Sequence, residues 1–120
     1  DKVRIYINGV DETSSENTRY LGGAAAADTG LFIGKHPNNY ASPFLGNIDE
    51  LAIYNQDMAA YISEIYSADG AVDLNNLATA PQPNTWFRFE EGSGTTAIDS
   101  GSGGNNGTLN NGVAYSANVP

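Results

Sequence analysis

Cysteine is absent from the 120 residues, so neither disulfides nor thiolate metal sites can hold this chain together. Basic residues are scarce: five Lys and Arg stand against fourteen Asp and Glu, a formal net charge of −9 spread along the chain. That balance argues against nucleic-acid phosphate or an anionic membrane as partner, and it suits solubility, cation binding or a crowded extracellular surface. The one histidine, His36, sits in a Pro/Asn loop with no nucleophilic serine motif, which disfavours a histidine-based active site. No apolar run is long enough to span a bilayer, and the first residues do not read as a signal peptide. Asp1-Lys-Val reads as the middle of a strand, so the native start is expected elsewhere.

What is present suits one domain, 1–120: 40% apolar residues support a core of moderate size, and no second folding unit fits. Lys2-Val-Arg-Ile-Tyr-Ile-Asn8 alternates with Val3, Ile5 and Ile7 on one face, and Asn8-Gly9 is a tight-turn signal. Residues 11–17 read as a polar loop, 18–21 as a short return strand, and 22–30 as a small-residue linker. Leu31-Phe-Ile-Gly-Lys35 is a further strand, and 36–43 an irregular loop.

The stretch Phe44-Leu-Gly-Asn-Ile-Asp-Glu-Leu-Ala-Ile-Tyr54 has the β-branched and aromatic character of a strand, with Asp49 and Glu50 expected on opposite faces. Asn55-Gln-Asp57 offers N-cap residues for a helix over 58–67, with Met58, Ile62, Ile65 and Tyr66 at helical spacing and Gly70 as its C-cap. Residues 71–84 read as an extended connector closed by Pro81 and Pro83. Thr85-Trp-Phe-Arg-Phe-Glu-Glu91 is a strand with Trp86 and Arg88 on one face and Phe87 and Phe89 on the other. By composition alone, the glycine-rich run 92–107 is a flexible linker. Thr108-Leu109 and Val113-Ala-Tyr115 follow as two short strands joined by Asn110-Asn-Gly112.

Ile-Tyr-Ile-Asn-Gly-Val, Leu-Phe-Ile-Gly, and the Ile-Asp-Glu strand followed by Met-Ala-Ala-Tyr-Ile-Ser-Glu-Ile-Tyr together resemble the end of a laminin-G-like, concanavalin A-like domain. Trp-Phe-Arg-Phe-Glu-Glu-Gly-Ser-Gly-Thr-Thr-Ala-x-Asp-Ser-Gly and Gly-x-Asn-Gly-Thr-Leu look like the ordered opening strands of such a domain. The resemblance implies an all-β fold, an antiparallel jelly-roll sandwich with one short helix. It places closing strands and helix in 1–70, a connector in 71–84 and a domain opening in 85–120, with the family's usual middle missing. Closing before opening leaves strand edges unpaired, so the sheets are expected to be completed by another polypeptide segment.

Related glucanases carry Glu-x-Asp-x-Glu on one strand, whereas here the stretch is Asn47-Ile-Asp-Glu-Leu51; the catalytic pattern is broken, and no enzyme is expected. The resemblance further implies a structural calcium site, with Asp49, Glu50 and Asp99 as metal ligands. The competing reading gives Asp99 an Asx-turn and Asp49 an amide-capping role. For carbohydrate, Tyr6, Tyr20, Tyr40, Tyr54 and Trp86 are available for stacking, although strand aromatics more often pack in cores. Tyr40, in a loop with Asn38 and Asn39, is the preferred recognition group. Asn106-Gly-Thr108 matches a glycosylation sequon. The wording of 66–74 and 86–96 looks like laminin-G-like segments in structural proteins of marine bacteriophages. That implies a non-enzymatic surface module of a virion or extracellular assembly, contacting copies of itself, neighbouring subunits or glycans. A carbohydrate-binding domain of a secreted bacterial adhesin or glycoside hydrolase is the alternative.

Overall fold

The computed structural model describes residues 4–13, 30–35, 43–67 and 69–117. The described strands are all antiparallel and very short. β1 (Tyr6–Ile7) and β2 (Val10–Asp11) form a hairpin in which Tyr6 pairs with Asp11 and Ile7 with Val10. Its turn is Asn8-Gly9, with φ of 50° and 76°. Two successive positive φ values match strand twist across a two-residue turn, which is why Asn-Gly is favoured there. The strand that returns from this turn is Val10–Asp11; the expected strand 18–21 lies outside the described residues.

β3 (Leu51–Ile53) pairs with β4 (Thr85–Phe87) in the register Leu51↔Phe87, Ala52↔Trp86 and Ile53↔Thr85. The two blocks that resemble a domain's end and its beginning therefore meet in one ladder. Both expected strands are cut short at the same end. Glu50 has φ 50° and Phe89 has φ 59°, a left-handed backbone that disfavours continued pairing. β5 (Thr96–Ala97) pairs with β6 (Gly107–Thr108). A bridge between Phe87 and Asp99, with the Ser100 N–H donating to Trp86 O at 2.8 Å, joins this pair to β4.

The helix is shorter than the 58–67 its spacing predicts. It is a 3₁₀ turn at Ala59–Tyr61 followed by α1 (Ile62–Ile65). The N-cap position is Met58, which makes no side-chain cap bond; Asp57, one residue earlier, forms an Asx-turn into the helical segment, its Oδ1 accepting from the Ala59 N–H at 2.9 Å. Gly70 does not end it, because Tyr66 is already extended at φ −106°, ψ 129°. The connector docks onto α1: the Glu64 carboxylate accepts the Thr79 hydroxyl and the Thr79 and Ala80 N–H groups.

The core lies under β4, where Leu74, Pro83, Trp86, Phe87 and Ala97 are buried and Trp86 is only 1% exposed. The glycine-rich run is ordered here rather than a loose linker. Gly101 and Gly103 lie against the backbone of Asn84, where an added Cβ would come within 2.7 to 2.8 Å of its carbonyl oxygen. Elsewhere large apolar side chains stay in water. Ile5, Ile7 and Val10 on the hairpin, and Leu31, Phe32, Phe44 and Leu45 beyond it, are 47 to 90% exposed. The Ile5 and Ile7 face of the hairpin is therefore exposed. Among the described residues the strands form three two-stranded sheets, not the two broad sheets of a jelly-roll sandwich. The described strands are two or three residues long and lie between glycines and left-handed residues, so each described sheet is marginal by itself.

Candidate functional site

The three carboxylates expected to hold calcium are built into the fold separately. Asp99 is 8% exposed. Its Oδ1 accepts the N–H groups of Trp86 at 2.8 Å and Gly101 at 2.9 Å, and its Oδ2 accepts that of Asn105 at 2.8 Å. Burial pushes this carboxyl's pKa up, but those peptide N–H groups outweigh it and hold the value below the ordinary range. The bond to Gly101 is the Asx-turn that was the competing reading. Both oxygens face N–H dipoles whose positive ends would repel a cation.

Glu50 lies across the ladder from Arg88, with Oε2 accepting the Trp86 indole N–H at 2.6 Å and Oε1 3.6 Å from the Arg88 Nε. The Arg88 guanidinium stacks over the Trp86 ring at 5.1 Å. Trp86 and Arg88 share a face, as the alternation predicts, and Phe87 and Phe89 meet on the other with centroids 6.0 Å apart. Asp49 is exposed. Asp49, Glu50 and Asp99 thus form no common ligand set, and among the described residues no group of three or more His, Cys, Asp or Glu could hold a metal ion.

Of the aromatic residues considered for sugar stacking, Trp86 is in the core and unavailable. Tyr54 is half-buried, and burial raises its pKa. Tyr40, Asn38 and Asn39, like Tyr20, lie outside the described residues.

Tyr6 does reach a concave surface. An open groove of about 600 Å³ runs between the β1–β2 hairpin and the helical segment, lined on one side by Tyr6, Asn8 and Asp11 and on the other by Ser63 and Tyr66. The groove depends on one close approach. A Cβ placed on Gly9 would lie 2.7 Å from Tyr66 Cδ1, so the ring packs on the glycine itself. Tyr66 nonetheless stays 40% exposed. Asp11 is prepared as an acceptor: Thr13 hydrogen bonds hold its carboxyl below the usual carboxylate range, including an N–H donated to Oδ1 at 2.9 Å. Arg4 stands 3.8 Å from the other oxygen. Aromatic faces beside amide, hydroxyl and carboxylate groups are equipment for binding a polyhydroxylated ligand in a shallow site.

Tyr66 was not among the expected site residues; it was read only as one of the residues at helical spacing. Its packing on Gly9 depends on contact between distant parts of the chain, for which no local sequence signal exists.

A family model of the laminin-G type, described as the concanavalin A-like lectin/glucanases superfamily, matches residues 1–61, which is just over half of the 120-residue chain. The chain belongs to that superfamily. The match takes in the β1–β2 hairpin, β3 and the 3₁₀ turn; Tyr6, Asn8, Gly9 and Asp11 of the groove lie inside it, while Ser63 and Tyr66 lie just beyond. No curated protein and no solved structure matches the chain.

Proposed function

We propose that this lectin/glucanase-superfamily chain is a non-enzymatic, carbohydrate-binding surface module of an extracellular or virion assembly. The observation that carries the binding half is the groove between hairpin and helix, where Tyr6 and Tyr66 stand with Asn8, Asp11 and Ser63. Superfamily membership points to the same ligand class. The non-enzymatic half rests on how the carboxylates are engaged. Glu50 is held by Trp86 and Arg88, and Asp99 by three peptide N–H groups, so neither is placed as a free acid or base. Binding of the chain to an immobilised glycan panel, without hydrolysis of those glycans, tests this reading. Release of reducing sugar would end the non-enzymatic half, and an empty panel the binding half.

A specific observation favours assembly as its setting. Two-stranded sheets are marginal by themselves, and the apolar side chains Leu31, Phe32, Phe44 and Leu45 face water. Copies of this chain or neighbouring subunits would add strands to these sheets and complete a jelly-roll sandwich. Light scattering across a concentration series tests self-assembly; a constant monomer mass at high concentration would rule out copies of itself as the completing partner. A carbohydrate-binding domain of a secreted adhesin or glycoside hydrolase would use the same groove. The mass of the intact native polypeptide separates these settings.

A further inference from the structure

The groove's construction narrows its ligand. We infer that it takes an uncharged sugar unit whose apolar C–H face stacks on the free face of Tyr66, with Gly9 as the residue that positions the ring. This rests on the carbohydrate reading above and adds to it the charge class of the ligand, the stacking residue and its support.

Three observations carry it. First, the Tyr66 ring lies against the hairpin turn at Gly9, close enough that even a methyl group could not fit between them. One side of the ring is therefore taken up by protein, and a sugar can stack only on the other, as a single ring rather than in an aromatic sandwich. The face of an aromatic ring is electronegative and attracts the weakly positive C–H hydrogens of a pyranose. Second, among the described residues the polar groups lining the groove are Asn8, Asp11, Ser63 and the tyrosine hydroxyls, and none of these described lining residues is cationic. Asp11 offers an ionised carboxylate to sugar hydroxyls, a strong acceptor for such donors. Third, the nearby guanidinium is already engaged: Arg4 stands by Asp11 and donates to the Tyr6 hydroxyl at 3.5 Å. A carboxylated or sulfated sugar would meet Asp11 and a chain of net charge −9, with no cation among the described lining residues to receive it.

The test is a titration of the 120-residue chain with methyl β-glucoside, methyl β-galactoside and methyl α-mannoside, alongside sialyllactose and a 6-sulfated galactoside. Binding is read by saturation-transfer NMR and by the tyrosine ring resonances. A single stacked ring in a shallow groove implies a Kd on the order of 1 mM for the best neutral glycoside. Tyr66→Ala should weaken binding at least tenfold, while Tyr66→Phe, which keeps the ring, should retain it within about threefold. Gly9→Ala should displace the Tyr66 resonances and weaken binding. Folding of each variant is checked by the fluorescence of Trp86, a core residue that does not line the groove. If acidic sugars bind as well as neutral ones, or Tyr66→Ala leaves neutral binding unchanged, the inference falls while the carbohydrate reading stands. If none of the five ligands binds, that reading falls with it.

Discussion

Replacing Asp99 should damage this fold more than any other exchange of a polar residue. Its carboxylate gathers three peptide N–H groups from β4 and from the loop between β5 and β6. In Asp99→Ala, the N–H of Trp86 loses its acceptor inside a residue that is 1% exposed, and an unsatisfied buried donor costs about 1 to 3 kcal/mol. Gly101 and Asn105 are nearer to water, so each of their lost bonds costs about 0.5 to 1 kcal/mol. The sum is about 3 kcal/mol, or a fall in Tm of about 10 °C for a chain of this size. Asp99→Asn should fall between. It keeps one oxygen for Trp86 and Gly101 but turns an amide N–H toward the N–H of Asn105. Urea unfolding followed by fluorescence of the single tryptophan measures both variants, and Asn gives a reading even if Ala fails to fold. A loss below about 0.5 kcal/mol in Asp99→Ala would show that these bonds do not hold the loop, and would refute the reasoning.

Stability should also fall in acid. Asp99, Glu91, Glu64 and Asp11 all have folded pKa values below the ordinary 3.8 for Asp or 4.5 for Glu. The unfolded chain therefore binds protons first: the stabilisation is complete above the ordinary values and is lost as pH falls through the lower folded ones. Urea midpoints should be flat from pH 7 to about 5.5 and drop below about 4.5; a rise on acidification would contradict the assignment. Because both Asp99 oxygens face peptide N–H groups, a chelator should leave Tm unchanged within about 1 °C, and a larger fall would restore a calcium role. Trp86→Phe removes the 2.6 Å bond to Glu50 and the Arg88 stack. It should cost about 1 to 2 kcal/mol by urea unfolding followed by circular dichroism, and Glu50→Gln should cost less once that mutation is present, because the two share one bond.

The local features of this chain were legible because they depend on neighbouring residues. Asn8-Gly9 turns with two positive φ values because that pair tolerates them. Asp57 turns the chain into the helical segment because its oxygen reaches an amide two residues on, and Trp86 and Arg88 share a face because a strand alternates. Strand lengths were less legible. The 44–54 and 85–91 stretches look continuous, yet the backbone turns left-handed at Glu50 and Phe89, and the ladder stops there.

What the sequence determined alone is an acidic, cysteine-free chain with turn-punctuated strands and the motifs of its superfamily. Only the tertiary structure decided which side chains do what. Asp99 was open between metal ligand and turn-former until Trp86 and Asn105 brought their N–H groups to it. Trp86, open between sugar stacking and core packing, lies in the core, and Tyr66, read only as a helix residue, forms a groove wall against Gly9. Turn and cap preferences act over a few residues of backbone. Burial and hydrogen-bond partners depend on which distant segments close on one another, which residue-by-residue propensity does not encode.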